Sequence, residues 1–198
     1  MLDPLQIVDD RLYALDELAA PNRLSFAHEE MEPFRVYSKQ MEQILSRLNH
    51  MALSKAVPLL IKGPTGSGKE MVARFLHSEV DQAPGQYVAV NCTNMNREMF
   101  ESELFGYTRG AFTGASSKGS EGYIRQARDG TLFLDEISEI NLDIQAKLLR
   151  VLEEGEFYRL GSSRKETVQA RLIFASNRNM SHMVKKGLLR EDLYYRLN

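Results

Sequence analysis

The stretch VPLLIKGPTGSGKE, from Val57 to Glu70, constrains this chain more tightly than any other. Val57–Ile61 is an apolar run of strand length, closed by Lys62 and followed by Gly63, Gly66 and Gly68. Lys69 completes the pattern G-x-x-x-x-G-K, and Met71, Val72, Phe75 and Leu76 then recur at helical spacing. Strand, glycine loop, helix is the order that a phosphate-cradling loop requires. Glycines let successive backbone N–H groups converge on an anion, and the positive end of the helix dipole adds to the attraction. Lys69 would reach the β- and γ-phosphates as a point charge. The bare pattern arises by chance in roughly one chain in twenty of this length, so a plain glycine-rich turn is the alternative. The flanking strand and helix decide for a nucleotide site made by Gly63, Pro64, Thr65, Gly66, Ser67, Gly68, Lys69 and Glu70. Glu70 stands where Ser or Thr usually offers a hydroxyl to Mg²⁺.

A nucleotide site needs a second half, and Gly130-Thr131-Leu132-Phe133-Leu134-Asp135-Glu136 supplies it. A buried strand ending in two carboxylates lets Asp135 hold Mg²⁺, largely through water, while Glu136 orients or deprotonates the attacking water. The alternative is an acidic pair facing solvent at a strand end. Val168–Ala175 reads as a further strand. Asn177 lies just beyond it, where a side-chain amide could sense the γ-phosphate or simply cap a turn. Strands alternating with helices make this an α/β fold with a largely parallel sheet.

The 198 residues suffice for one domain with an appendage. A net charge of −2 with interspersed signs gives no broad electrostatic grip on nucleic acid. The single cysteine, Cys92, excludes an internal disulfide and fits a reducing cytoplasm; it reads as a buried hydrophobe rather than a nucleophile. The start lacks a basic secretory n-region, and no run approaches a membrane span. Residues 1–20 carry an apolar stripe of two heptads, read as a short helix or the end of a dimerising linker, and residues 21–33 read as connection. The globular domain is expected over 34–198. Within it, Ser38 caps a helix, Tyr87–Asn91 is a strand, Arg97–Phe105 a helix, and Ile144–Leu152 an amphipathic helix stopped by Gly155. Arg159–Thr167 is a second loop or a mere connection, and Ser181–Asn198 is helical. Tyr107–Ser120 has no hydrophobic period; Gly110 and Gly114 bracket Phe112, which suggests a flexible hairpin presenting that ring, or else an inert surface loop.

Taken together, GPTGSGKE, NCTN at Asn91–Asn94, ESELFGYTRGAFTGA at Glu101–Ala115, GTLFLDEI, LLRVLEEGEFYRLGS and LREDLYYRLN resemble the AAA+ ATPase domain of bacterial enhancer-binding proteins, the activators of sigma-54 RNA polymerase. The similarity runs from about Phe34 to Asn198, and in that family Glu70 after the lysine is normal. The resemblance implies a P-loop NTPase (AAA+) core using ATP and Mg²⁺, with Lys69, Asp135 and Glu136 in the roles above. It implies that Asn91 holds the catalytic glutamate in an inactive orientation and that Asn177 is the first sensor. Arg190 and Arg196, otherwise ordinary solvated charges, become arginines donated into a neighbouring subunit's site. Gly110, Ala111, Phe112, Thr113, Gly114 and Ala115 become the loop that contacts sigma-54, and Arg159–Thr167 a second pore-side loop. The implied partners are sigma-54 RNA polymerase holoenzyme and copies of the chain in a ring, a hexamer in the family. From the residues themselves, with no recognition-helix unit visible and a slightly acidic net charge, neither direct DNA reading nor a membrane is expected of this chain. Pro64, Ser176 and Tyr107-Thr108 depart from frequent family residues without removing a needed group. The similarity stops before the family's helical lid. A second expectation therefore stands beside the first, in which a lidless core binds sigma-54 or intact activators without turning over ATP.

Overall fold

The computed structural model describes residues 57–80, 84–93 and 97–198. The expected elements before Val57 and Asn94 of the NCTN block lie outside these described residues. Four strands form one wholly parallel sheet: β1 (Leu59–Lys62), β2 (Tyr87–Asn91), β3 (Thr131–Asp135) and β6 (Arg171–Ser176), in the order β1-β6-β3-β2. The register sets Lys62 beside Ser176 and Asn91 beside Asp135. All four strands therefore end along the same edge, where parallel α/β sheets carry their ligands. Central β3 and β6 are buried on both faces, which explains their continuous apolar runs. Leu132, Phe133 and Leu134 are at most 1% exposed, and each is worth about 1.5–3 kcal/mol of burial.

Helix α1 (Lys69–Phe75) starts directly from the glycine loop and continues through a π turn, Leu76–Val80. Helix α2 (Arg97–Phe105) is followed by a short α3 (Tyr123–Gln126), which sequence pattern did not indicate because one turn is too short to show a period. Helix α4 (Leu142–Glu154) buries the predicted stripe Ile144, Leu148, Val151 and Leu152. Asn141 caps it by accepting from the N–H groups of Asp143 and Ile144, both at 3.1 Å, and Gly155 ends it at φ 66°.

Three expectations need correction. The segment Arg159–Thr167 is neither all loop nor mere connection, because β4 (Glu156–Tyr158) and β5 (Lys165–Thr167) close an antiparallel hairpin whose β5 lies inside it. The strand read at Val168–Ala175 starts only at Arg171. Before it, the Gln169 carbonyl is spent outside the sheet, accepting from the Asp129 N–H at 2.8 Å. The segment Ser181–Asn198 is two helices, α5 (Met180–Lys185) and α6 (Glu191–Leu197), because Gly187 takes φ 70° between them.

The excursion between α2 and α3 leaves and rejoins the domain through a narrow neck. A Cβ on Gly106 would meet the Glu121 carbonyl oxygen at 2.5 Å, and one on Gly122 would meet the Gly106 nitrogen at 2.3 Å. Only glycine lets the two backbones cross this closely. Past the neck, Tyr107 and Ser120 exchange backbone hydrogen bonds, and Thr108 N–H donates to the Leu160 carbonyl at 2.9 Å. The loop is thereby seated on the segment that follows β4.

Candidate active site

The glycine loop curls because Gly66 and Gly68 take φ 81° and 83°, a region closed to most side chains. Gly63 N–H donates to the Ser176 carbonyl at 3.2 Å, which stitches the loop to the end of β6. Lys69 is 8% exposed and turns its ammonium back over the loop, donating to the carbonyls of Gly63 (3.2 Å) and Pro64 (3.3 Å). It also reaches Glu136 Oε1 at 3.5 Å.

Glu136 is 8% exposed and stands at φ 53°, one of two non-glycine residues at positive φ among those described. Such strain persists only where the surroundings hold it. Here the Glu136 N–H donates to Asp135 Oδ1 at 3.0 Å, and Oε2 accepts the Asn177 N–H at 3.0 Å. The amide of Asn177 donates to Thr65 Oγ1 at 3.0 Å. Lys69, Glu136, Asn177 and Thr65 thus form one connected network at the edge where β1, β3 and β6 end.

Asn91 does not join it. Its Oδ1 accepts from the Thr93 N–H (2.9 Å) and hydroxyl, an Asx turn that fixes the side chain locally. Its amide NH₂, the group that would clamp a carboxylate, makes no hydrogen bond to Glu136 in this structure. The groups holding Glu136 are Lys69 and the Asn177 backbone. Register nonetheless keeps Asn91 beside Asp135. Arg190 and Arg196 also point elsewhere. The guanidinium of Arg190 grips Asp192 at 2.6 and 3.0 Å, and that of Arg196 donates to the Leu152 carbonyl at 2.9 and 3.2 Å.

A residue that motif reading missed sets the start of α6. Gln145 is fully buried; it donates to the carbonyls of Ile140 and Leu188 and accepts the Arg190 N–H at 2.8 Å. The available signal was a polar side chain on the apolar stripe of α4, three residues before Leu148. Phe112 is 44% exposed, so the outward ring is met in part, yet it also packs edge-on against Tyr107 with centroids 5.1 Å apart. Cys92 is buried, and burial followed by the charges of Asp135, Glu136 and Glu139 pushes its thiol up to about 12, as befits an inert core residue.

The donor set fits Mg²⁺ held jointly with phosphate oxygens. Asp135 offers one carboxylate, while Glu70 turns to the α1 surface and pairs with Arg74 at 2.7 Å. Among the described residues no cluster of three or more His, Cys, Asp or Glu is arranged to hold a metal alone. Mg²⁺ characteristically keeps several waters and one or two carboxylates beside substrate phosphates. The Asp135 carboxyl is raised above the usual range, first by desolvation, with Lys69 opposing. A raised native value means the folded state holds the proton more tightly, so this group's contribution to stability falls as pH rises from the ordinary aspartate range through the folded value. Asp135→Asn should therefore leave the melting temperature of the nucleotide-free protein at pH 7 unchanged or higher, while Mg²⁺-dependent nucleotide affinity falls. A clear drop in melting temperature would show that the carboxylate stabilises the fold instead.

Comparison with known proteins follows the same lines. A family model described as "Sigma-54 interaction domain" matches residues 34–198. The chain is 47% identical over 161 residues to the regulatory protein AtoC of Escherichia coli, covering 81% of this chain and 34% of that protein. It is 45% identical over 161 residues to a Nif-specific regulatory protein of Herbaspirillum seropedicae, covering 81% of this chain and 29% of that one. Among solved structures, NtrX from Brucella abortus matches with a TM-score of 0.72 at 33% identity, over 81% of this chain and 36% of that one. NtrX in complex with ATP matches at 0.70, also at 33% identity, over 82% of this chain and 36% of that one. The chain spans about a third of the length of these relatives. No helix among the described residues is long and apolar enough to cross a membrane.

Proposed function

We propose, for a chain that belongs to the sigma-54 interaction domain family, an AAA+ module of a transcriptional activator that binds and hydrolyses ATP with Mg²⁺ in the cytoplasm. The observation that carries this reading is the convergence of Lys69, Asp135, Glu136 and Asn177 around one left-handed glycine loop. When ATP binds, the loop N–H groups and Lys69 would take its phosphates, and Asp135 would share Mg²⁺ with them. Drawing Lys69 away removes one of the two groups restraining Glu136. Asn177, bonded to Glu136 through its backbone and to Thr65 through its amide, would report phosphate occupancy to both. Glu136 would then orient or deprotonate the water. Mg²⁺ supplies charge neutralisation on the phosphates; water activation falls to Glu136.

Gly110 to Ala115 would engage sigma-54, with Phe112 and Thr113 at the tip. Because the loop's base is bonded to Leu160, its height would follow movements of the β4–β5 region. Arg190 and Arg196 would act in a ring, a hexamer in this reading, by leaving their present partners for a neighbour's phosphates. Those partners favour the second reading, an interaction module without turnover, since both arginines are engaged within their own chain. ATPase rate against protein concentration decides. A specific activity that rises steeply from nanomolar to tens of micromolar, and falls at least tenfold on Arg190→Ala, is expected for shared sites; stabilisation of this kind is worth ~10³ or more in rate. Flat, negligible turnover with nucleotide binding intact would leave the interaction module.

A further inference from the structure

A second polar cleft, of about 360 Å³, opens between α3 and the β4–β5 hairpin, away from the glycine loop. Among the described residues, five cations line it: Arg125 and Arg128 from the α3 side, and Arg159, Arg164 and Lys165 from the hairpin. Among those residues the only lining carboxylate is Glu166. It is committed closely to one arginine, with Oε1 at 2.7 Å from Arg159 Nε. Lys165 is likewise taken, by Glu156 at 2.6 Å. The other three guanidiniums are held more loosely or not at all by carboxylates. Arg125 lies 3.5 Å from Glu121 and 3.7 Å from Glu166, and Arg128 lies 3.5 Å from Asp129. The side chain of Arg164 has no carboxylate partner among the described residues.

Long pairs of this kind with an exposed arginine contribute little, so an incoming anion displaces them readily. We propose that this cleft is a phosphate-binding site that takes the phosphodiester backbone of a nucleic acid. Arginine forks match phosphate oxygens in pairs, which a lone ammonium cannot do. At about 360 Å³ the cleft is larger than one phosphate needs, which leaves room for successive phosphates of a chain. Its apolar floor, Ile124 and Phe157, is 2% and 4% exposed, so no ring is presented for stacking bases. Contact is therefore with backbone and independent of sequence. A net charge of −2 conceals the site because its cations are drawn from residues 125 to 165 and gathered only by the fold.

The test uses the whole chain, a labelled 30-bp duplex of arbitrary sequence and anisotropy titrations between 50 and 200 mM NaCl. Each phosphate neutralised adds about 0.9 to the slope of log affinity against log salt. Arg125→Gln/Arg128→Gln should flatten that slope by ~1.8 and Arg164→Gln by ~0.9, with melting temperature unchanged. Glu166→Gln, which removes the lining carboxylate, should tighten binding. Lys185→Gln/Lys186→Gln, with the same charge change on and beside α5, should alter the slope much less than the arginine pair. Equal flattening by the lysine pair, or no change from the arginine variants, overturns the site. Displacement of the duplex by polyglutamate as readily as by tripolyphosphate overturns phosphate as the ligand. Tripolyphosphate binding that depends on these arginines, without duplex binding, overturns nucleic acid and assigns free polyphosphate.

Discussion

Replacing Glu136 with Gln should cut ATP turnover by about 10²–10⁴-fold, the range for loss of a positioned acid–base group, while nucleotide binding survives or tightens. Glu136 is held at positive φ by groups on three elements: its own N–H on Asp135, Oε2 on the Asn177 N–H, and Oε1 near Lys69. Glutamine keeps the shape and one acceptor but presents an amide NH₂ where the second oxygen stood. That group faces a donor, either the Asn177 N–H or the Lys69 ammonium, so one of the two contacts is lost. Lys69 then has less to hold it in the empty site and is freer to meet phosphate. Steady-state hydrolysis and equilibrium binding of a fluorescent ATP analogue separate the two effects. Turnover within a few-fold of the parent would remove Glu136 from the chemistry, and weakened binding with lost turnover would make it a structural residue.

The parts of this site legible in the sequence are those whose signal is local. Gly63 to Lys69 announce a phosphate loop because conformational freedom, spacing and the flanking apolar runs sit within twenty residues. Asp135 and Glu136 announce themselves because a buried strand must end before a carboxylate can be solvated. The helix over Arg97–Phe105 and the strand over Tyr87–Asn91 were readable for the same reason. What escaped is tertiary. No spacing rule joins Thr65 to Asn177, or Lys69 to Glu136, across 112 and 67 residues. Arg196 reads as solvated charge until α6 packs on α4 and sets its guanidinium on the Leu152 carbonyl. The break at Gly187 was visible as a glycine between Lys186 and Leu188, but a lone glycine inside a helical pattern does not by itself end a helix. The clamp implied for Asn91 came from resemblance alone; in this structure the side chain is turned into a local Asx turn with Thr93.

Removing the Lys69 side chain should weaken ATP binding by about 10- to 150-fold, since hydrogen bonds to charged groups are worth about 1.5–3 kcal/mol. The substitution Lys69→Ala also acts on the empty protein. Its ammonium is the donor for two loop carbonyls and neighbours Glu136 Oε1, and its side chain is 7% exposed. Losing it leaves the carbonyls and a carboxylate oxygen without that donor, so the melting temperature should fall as well. The two losses are separable because Lys69 serves Glu136 in one state and phosphate in the other. If that exchange is real, Glu136→Gln tightens binding only when Lys69 is present. In a double-mutant cycle the Lys69→Ala/Glu136→Gln protein should bind ATP no better than Lys69→Ala alone, a departure from additivity expected of groups in contact. Strict additivity would mean that Lys69 is not shared between glutamate and nucleotide, and restraint of Glu136 would then rest on the Asn177 N–H alone.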